Sequence, residues 1–117
     1  MEYSFTEKFN IQILQIDSLL NPLDNQEIIR AVEGKIKENC LEFIVDLDKM
    51  TYMNSNGLTF LISILTRSRN AGGDVAIANL SDSIKKILLI TRLQSAFSIH
   101  ESVDDALAFF EKENKKS

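Results

Sequence analysis

The sequence predicts an α/β fold, in which a mixed but mostly parallel β-sheet carries an N-terminal hairpin and about four α-helices. After residue 24, segments with helical periodicity alternate with short apolar segments, and this order is typical of parallel β–α–β units. The length of 117 residues and the 44% of hydrophobic residues are those of one ordinary globular domain. We therefore expect a single domain over residues 1–117.

The chain opens with the alternation that is typical of a half-buried strand. The apolar residues at odd positions are Tyr3, Phe5, Phe9, Ile11 and Ile13. A break near Glu7 and Lys8 would fold this segment into a hairpin. Asn21-Pro22 ends the pattern, and Asp24 and Glu27 then have the spacing of a capping box at the start of a helix. The inward stripe of that helix is Ile28, Val32 and Ile36.

The middle of the chain predicts a buried strand followed by a long helix. Residues 41–47 are nearly continuously apolar, which is typical of a parallel strand buried on both faces. The helix is expected to begin within residues 54–57 and to end near the glycines of residues 70–73. Its predicted inward stripe is Leu58, Leu61, Ile62 and Leu65, with Phe60 and Ile64 beside it and also assigned to the core.

The remaining residues predict two further strands and two further helices. The strands are residues 75–78 and 97–99, and residues 111–117 are expected to form a frayed tail. Ser81 or Asp82 caps the third helix, and Ser102 caps the fourth. The inward residues are Ile84, Ile87, Leu88 and Thr91 in the third helix, and Val103, Ala106, Leu107 and Phe110 in the fourth.

Charge and cysteine content narrow the range of functions. Thirteen Lys and Arg residues against seventeen Asp and Glu residues give a net charge of −4, which argues against broad binding to nucleic acid or to an anionic membrane. The lone Cys40 can form neither an internal disulfide nor a multi-cysteine zinc site. No apolar run reaches the roughly 18 residues of a membrane span, and the first residues lack a signal-peptide pattern. We expect a cytoplasmic protein with no metal or cofactor, no nucleic-acid partner and no membrane insertion.

Enzyme motifs are absent from the sequence. His100 is the only histidine and is interpreted as a partly exposed residue at the end of a strand, and Cys40 as a small filler of the core. No Gly-x-Ser-x-Gly elbow, phosphate-binding loop or dinucleotide fingerprint occurs. Asp46 and Asp48 follow the central strand, where open α/β sheets bind ligands. A small ligand-binding or anion-binding domain, or an enzyme that uses this strand end, is therefore the alternative function.

The informative segment is VDLDKMTYMNSNGL, residues 45–58, in which a buried strand passes through a polar loop into a helix. The free N–H groups and positive dipole end of a helix favour an anion or an attached phosphate at this position. Gly57 has no Cβ and allows close approach of a partner. Without further context, Asn-Ser-Asn-Gly is simply a helix cap.

The longer run DLDKMTYMNSNGLTFLI, the Gly72-Gly73-Asp74 turn and the strand VAIAN resemble the STAS family, the sulfate-transporter and anti-sigma-factor-antagonist domains. The continuation SDSIKKILLITRLQSAFSIHESVDDALAFF follows the layout of that family as well. The similarity covers residues 41–110 closely and the first forty residues only in layout. The resemblance implies a STAS-like single domain and a bacterial anti-sigma factor antagonist.

Partner switching is what the resemblance implies. In similar proteins, an anti-sigma factor of the histidine-kinase ATPase type, which is a serine-protein kinase, phosphorylates a serine directly before the glycine. A PP2C-type phosphatase reverses the modification, and the unphosphorylated form binds the anti-sigma factor. Such proteins are substrates and binding modules rather than enzymes, so we expect no catalytic residue here.

Two positions depart from the family pattern. Asn56 precedes the glycine and cannot accept a phosphoryl group, and Asn54 replaces the usual acidic residue. Ser55 is the nearest hydroxyl and is the candidate phosphorylation site. Either Ser55 has taken over the switch, or the site is never phosphorylated and Asn56 resembles a permanently dephosphorylated state, which is the interpretation we favour. The predicted partner-binding residues are Thr51, Tyr52, Met53, Asn54, Ser55, Asn56, Gly57 and Phe60.

A third possibility is a structural STAS subunit within a larger signalling assembly. It would be indicated by self-association together with an exposed apolar strip.

Overall fold

The computed structural model describes residues 3–17, 22–50, 53 and 55–115. Its elements in chain order are β1 (Tyr3–Lys8), β2 (Ile11–Ile16), α1 (Pro22–Lys37), β3 (Glu42–Asp46), α2 (Ser55–Asn70), β4 (Asp74–Ala78), α3 (Asp82–Ile90), a 3-10 turn (Leu93–Ser95), β5 (Ser98–His100) and α4 (Val103–Lys115). The five strands form one sheet in the order β1-β2-β3-β4-β5. β1 is antiparallel to β2, and all other pairs are parallel. The predicted α/β class, mixed sheet, hairpin and four helices are confirmed.

The helices cover the two faces of the sheet unequally. Side chains of α1, α2 and α3 pack against Phe43 and Val45 of β3, whereas α4 packs against Ile44 on the opposite face. All three of these β3 residues are fully buried, because the side chains of successive strand residues point to opposite faces. The prediction of a central strand buried on both faces is therefore confirmed.

The hairpin turn lies at Phe9 and Asn10, two residues later than predicted. Both have positive φ, 53° and 65°, a conformation that asparagine tolerates but that is uncommon for phenylalanine. Phe9 is 70% exposed, so it does not continue the buried alternation of the strand. The break predicted near Glu7 and Lys8 was wrong because the turn contains no glycine to mark it.

The inward face of α2 is also rotated from the prediction. The buried residues are Gly57, Phe60, Leu61, Ile64, Leu65 and Ser68. Ile62 is exposed and Leu58 is half-buried. The core assignment of Phe60 and Ile64 is confirmed, whereas the inward position of Ile62 was wrong, because the segment is apolar on several sides and the sheet selects one of them.

The later helices agree with the sequence in most respects. Ser81 caps α3, and the Oγ of Ser102 accepts a hydrogen bond from the N–H of Asp105 in α4. Thr91, predicted to point inward, is instead the exposed C-cap of α3. The last strand begins one residue later than predicted, and α4 continues through Lys115, well into the segment for which a frayed tail was predicted.

The C-terminal end of α2 is joined tightly to the start of β3. The buried Ser68 places its Oγ within hydrogen-bond distance of the carbonyl oxygens of Leu41 and Asp74. The N–H of Gly73 donates to the carbonyl of Ser68 over 2.8 Å, and the Gly73 backbone lies directly against the Leu41 carbonyl. These contacts fix α2 relative to the sheet and thereby set the position of its other end.

Candidate partner-binding site at the tip of α2

The loop between β3 and α2 brings the N-terminus of α2 to the carboxyl edge of the sheet. Leu47, Met50 and Met53 are buried in the core beneath this loop. Apolar anchors at every third position therefore hold the described part of the loop against the domain. Thr51, Tyr52 and Asn54, three of the predicted partner-binding residues, lie outside the described residues.

The first turn of α2 forms an uncharged, exposed surface, which we call the helix tip and define as residues 55–57. Ser55 and Asn56 are exposed, whereas Gly57 is buried. No acidic side chain lies in this first turn. The positive end of the helix dipole is therefore offset by no neighbouring carboxylate on the helix. The tip can donate and accept hydrogen bonds without presenting a side-chain charge.

Phe60 is buried rather than exposed, with only 5% of its surface accessible. Its ring belongs to the main core cluster, and it also contributes to a shallow groove of about 200 Å³ between α1 and α2. The groove is lined by Asn25, Gln26, Ile29, Asn56, Thr59, Phe60 and Ser63. None of these residues carries a formal charge, so the uncharged surface extends from the helix tip onto α1.

Sequence reasoning missed the α1 contribution to this surface. Asn25, Gln26 and Ile29 lie about thirty positions before the helix tip in the sequence, and no local pattern connects them to Asn56. The available signal was topological: α1 and α2 are the helices of successive parallel crossovers, and such helices pack side by side on one face of a sheet.

The Asp46 carboxylate is engaged in holding a turn. Its Oδ1 accepts hydrogen bonds from the Asp48 backbone N–H and from Nδ2 of Asn79, each over 3.0 Å. Among the residues that the structure describes, no group of three or more potential metal ligands occurs. The Asp46 carboxylate therefore links the end of β3 to the turn that follows it and to Asn79.

His100 and Cys40 both pack against other residues of the fold, away from the candidate site. The His100 ring packs on Phe109 of α4 with 5.0 Å between ring centroids, and its Nε2 is buried without a hydrogen-bond partner in the described part of the chain. Cys40 is buried, and its Sγ lies 3.2 Å from Oδ1 of Asn10. Neither residue belongs to the helix tip or to the α1–α2 groove.

None of the helices in the described ranges of the chain is long and apolar enough to cross a bilayer.

A mixed sheet with an opening hairpin, three helices on one face, one helix on the other and an exposed helix tip after the central strand defines an α/β domain of the STAS kind. The chain belongs to the STAS domain family, whose family model matches residues 3–106. The family expectation from the sequence is thereby confirmed.

A relative with a similar sequence supports this assignment. A STAS-domain containing protein of Pseudomonas aeruginosa is 30% identical over 57 residues, which are 49% of this chain and 56% of that protein. This chain thus spans little more than half the length of that curated relative.

The solved structures extend the likeness over nearly the whole fold. A candidate anti-sigma factor antagonist of Thermotoga maritima has a TM-score of 0.81 at 17% identity, covering 91% of this chain and 92% of that one. The anti-sigma factor antagonist SpoIIAA in its unphosphorylated form has a TM-score of 0.79 at 12% identity, covering 94% and 96%. SpoIIAA of Bacillus has also been solved in its phosphorylated form, with a TM-score of 0.73 at 12% identity over 92% and 98% of the two chains. The fold is therefore that of the anti-sigma factor antagonists.

Proposed function

We propose that this chain is a non-enzymatic bacterial signalling module of the anti-sigma factor antagonist type, acting in the cytoplasm as one domain. Its partner is an anti-sigma factor or serine-protein kinase of the histidine-kinase ATPase type, bound through residues 51–57 and the start of α2. The observation that carries the proposal is the exposed, uncharged helix tip, in which Ser55 and Asn56 face solvent above a buried Gly57.

In this proposal, the charge on the helix tip decides whether the protein can bind its partner. A phosphate on a serine adds about −1.5 to −2 charges at neutral pH and must be desolvated when a partner covers it. Asn56 cannot be phosphorylated, and in this proposal Ser55 stays unphosphorylated as well, so the tip keeps its neutral surface at all times. The protein is accordingly constitutively competent for binding, and a PP2C-type phosphatase has no substrate at position 56.

The competing function, a ligand or metal site at Asp46 and Asp48, has weaker support because Asp46 already accepts two hydrogen bonds within the protein. Thermal-shift measurements with magnesium, nucleotides and small anions test it directly. A specific ligand that raises the melting temperature by several degrees would support the alternative, since binding to the native state stabilises it.

The main experiment compares partner capture by wild type, Asn56→Asp, Asn56→Ser and Ser55→Ala, followed by calorimetric titration of the purified partner. We expect Asn56→Asp to weaken binding by about tenfold or more, because an unpaired charge buried at an interface is strongly unfavourable. Ser55→Ala should bind like wild type. Asn56→Ser should bind like wild type until the kinase and ATP are supplied.

Asn70→Asp is the matched control, because it makes the same change at an exposed position at the opposite end of α2. It should leave binding unchanged. Equal loss of binding in the Asn56 and Asn70 variants would contradict a local role for the tip. Stoichiometric phosphate on Ser55 in cells, detected by mass spectrometry, would contradict the constitutive state and transfer the switch to Ser55.

A further inference from the structure

A second surface, at the β5 edge of the sheet, exposes apolar side chains that the helix tip does not use. Leu89 and Ile90 of α3 are 56% and 77% exposed, and Ile99 of β5 is 37% exposed. α3 buries Ile84 and Leu88 against the sheet, so its C-terminal half leaves two adjacent large aliphatic residues facing outward. Contiguous exposed apolar surface of this kind is typical of an interaction site.

The surface is concave. A groove of about 440 Å³ runs between α3 and the edge strand β5. Its apolar lining consists of Leu88, Leu89 and Ile99, and its polar lining consists of Asp82, Lys85, Lys86 and Gln94. β5 pairs with β4 on one side and is the last strand of the sheet. We call this feature the α3–β5 groove.

The lining of the α3–β5 groove carries two lysines against the single carboxylate of Asp82, an excess of positive charge, although the whole chain has a net charge of −4. Lys85 and Lys86 are exposed, and within the described residues neither forms an ion pair. The arginines of α2 differ in this respect, since Arg67 pairs with Glu33 and Arg69 pairs with Asp74. Two unpaired lysines beside an apolar floor are complementary to a ligand that combines carboxylates with aliphatic or aromatic side chains.

We propose that the α3–β5 groove is a docking site for an acidic, apolar segment of a partner protein. One or two large apolar side chains of that segment fill the floor between Leu89 and Ile99, and flanking carboxylates pair with Lys85 and Lys86. The groove shares no residue with the helix tip or the α1–α2 groove. The proposal goes beyond the function proposed for the helix tip. It does not depend on that function being correct.

Two other occupants fit the surface less well. Two copies of this chain joined groove to groove by a two-fold axis would bring four lysines together with only two Asp82 carboxylates, because such an interface pairs the same patch on both copies. A bilayer surface meets protruding apolar residues, whereas Ile99 on the edge strand belongs to the lining of a groove. An acidic, apolar peptide segment fits the concave shape of the α3–β5 groove and complements the charge of its lysines.

The test is selection of a random-peptide phage library on the wild-type protein, with counter-selection on Lys85→Glu/Lys86→Glu. We expect enriched peptides to combine Asp or Glu with Leu, Ile or Phe. A synthetic copy of an enriched peptide should bind the double variant and Leu89→Ser about tenfold more weakly than wild type, because like charges and a lost apolar contact both oppose binding. Amide chemical-shift changes on titration should centre on Leu89 and Ile99.

Lys112→Glu is the matched control, since Lys112 is an exposed lysine of α4 on the other face of the sheet; it should leave peptide binding unchanged. The proposal is overturned if no peptide is enriched, if enriched peptides lack acidic residues, or if they bind the double variant as well as wild type. It is also overturned if the wild-type protein dimerises in light scattering and Leu89→Ser abolishes the dimer. Binding to phosphatidylserine-containing vesicles that depends on Lys85 and Lys86 would also overturn the proposal, because the ligand would then be a membrane and not a partner protein.

Discussion

Gly73→Ala should strongly destabilise the domain. A Cβ at this position would overlap the carbonyl oxygen of Leu41 and lie 2.5 Å from its carbonyl carbon. These are backbone atoms at the start of β3, so they cannot move aside as the end of a flexible side chain could. The strain would fall on the junction where Ser68 and Gly73 fix α2 to the sheet.

The expected size follows from the cost of overpacking. Inserting a methyl group into a closed space costs typically about 1–3 kcal/mol, and contact with backbone places this substitution at about 3 kcal/mol of unfolding free energy. At roughly 4 °C per kcal/mol for a domain of this size, the melting temperature should fall by about 12 °C. Gly34→Ala is the opposite control, because a Cβ there meets nothing within 4 Å and alanine is favoured in a helix by about 0.5–1 kcal/mol.

The assay is urea unfolding of both variants, monitored by circular dichroism, with the slope of the transition checked for constancy. Gly73→Ala should lower the midpoint and Gly34→Ala should raise it. A Gly73→Ala protein as stable as wild type would refute the claim that α2 is held by this close backbone contact, and with it our explanation of how the helix tip is positioned.

Three further changes test other parts of the structure. Ser81→Ala should cost about 1 kcal/mol, because it removes the side-chain cap that accepts from the Ile84 N–H, and an unchanged urea midpoint would contradict the cap. Phe110→Ala should cost about 3–5 kcal/mol, because this ring is fully buried where α4 covers the second face of the sheet; calorimetry measures the loss, and a loss below 1 kcal/mol would contradict that packing. Asn56→Asp should raise stability by about 0.5 kcal/mol, because a carboxylate at a helix N-terminus is favourable, so a variant that loses its partner while melting higher would separate binding from folding.

The sequence predicted those parts of the fold that depend on local periodicity. β3 was recognisable because a nearly continuous apolar run needs cover on both faces, and the buried stripe of α4, with its Ser102 cap, matched the prediction. The helix tip was recognisable because a buried strand, a polar loop and a glycine-containing helix start are consecutive in the chain.

The features that could not be predicted are a turn without a glycine signal and the packing between separate segments. The turn at Phe9 and Asn10 uses left-handed backbone without glycine, so composition gave no sign of it. The choice between Ile62 and Ile64 as the inward residue requires the orientation of α2 on the sheet. The α1 side of the groove at the tip exists only once helices from separate crossovers lie together. The groove between α3 and Ile99 exists only once β5 has joined the sheet beside β4.

The unequal covering of the sheet has a consequence for biosynthesis. One face is closed by three helices that are interleaved with the strands, so each crossover can bury its own apolar residues as it emerges from the ribosome. The opposite face, with Ile11, Ile13 and Ile44, stays uncovered until α4 has been synthesised, because α4 follows all five strands. A nascent chain halted before residue 103 would carry all five strands with one apolar face of the sheet open to solvent, and such an intermediate is prone to aggregate and needs chaperones.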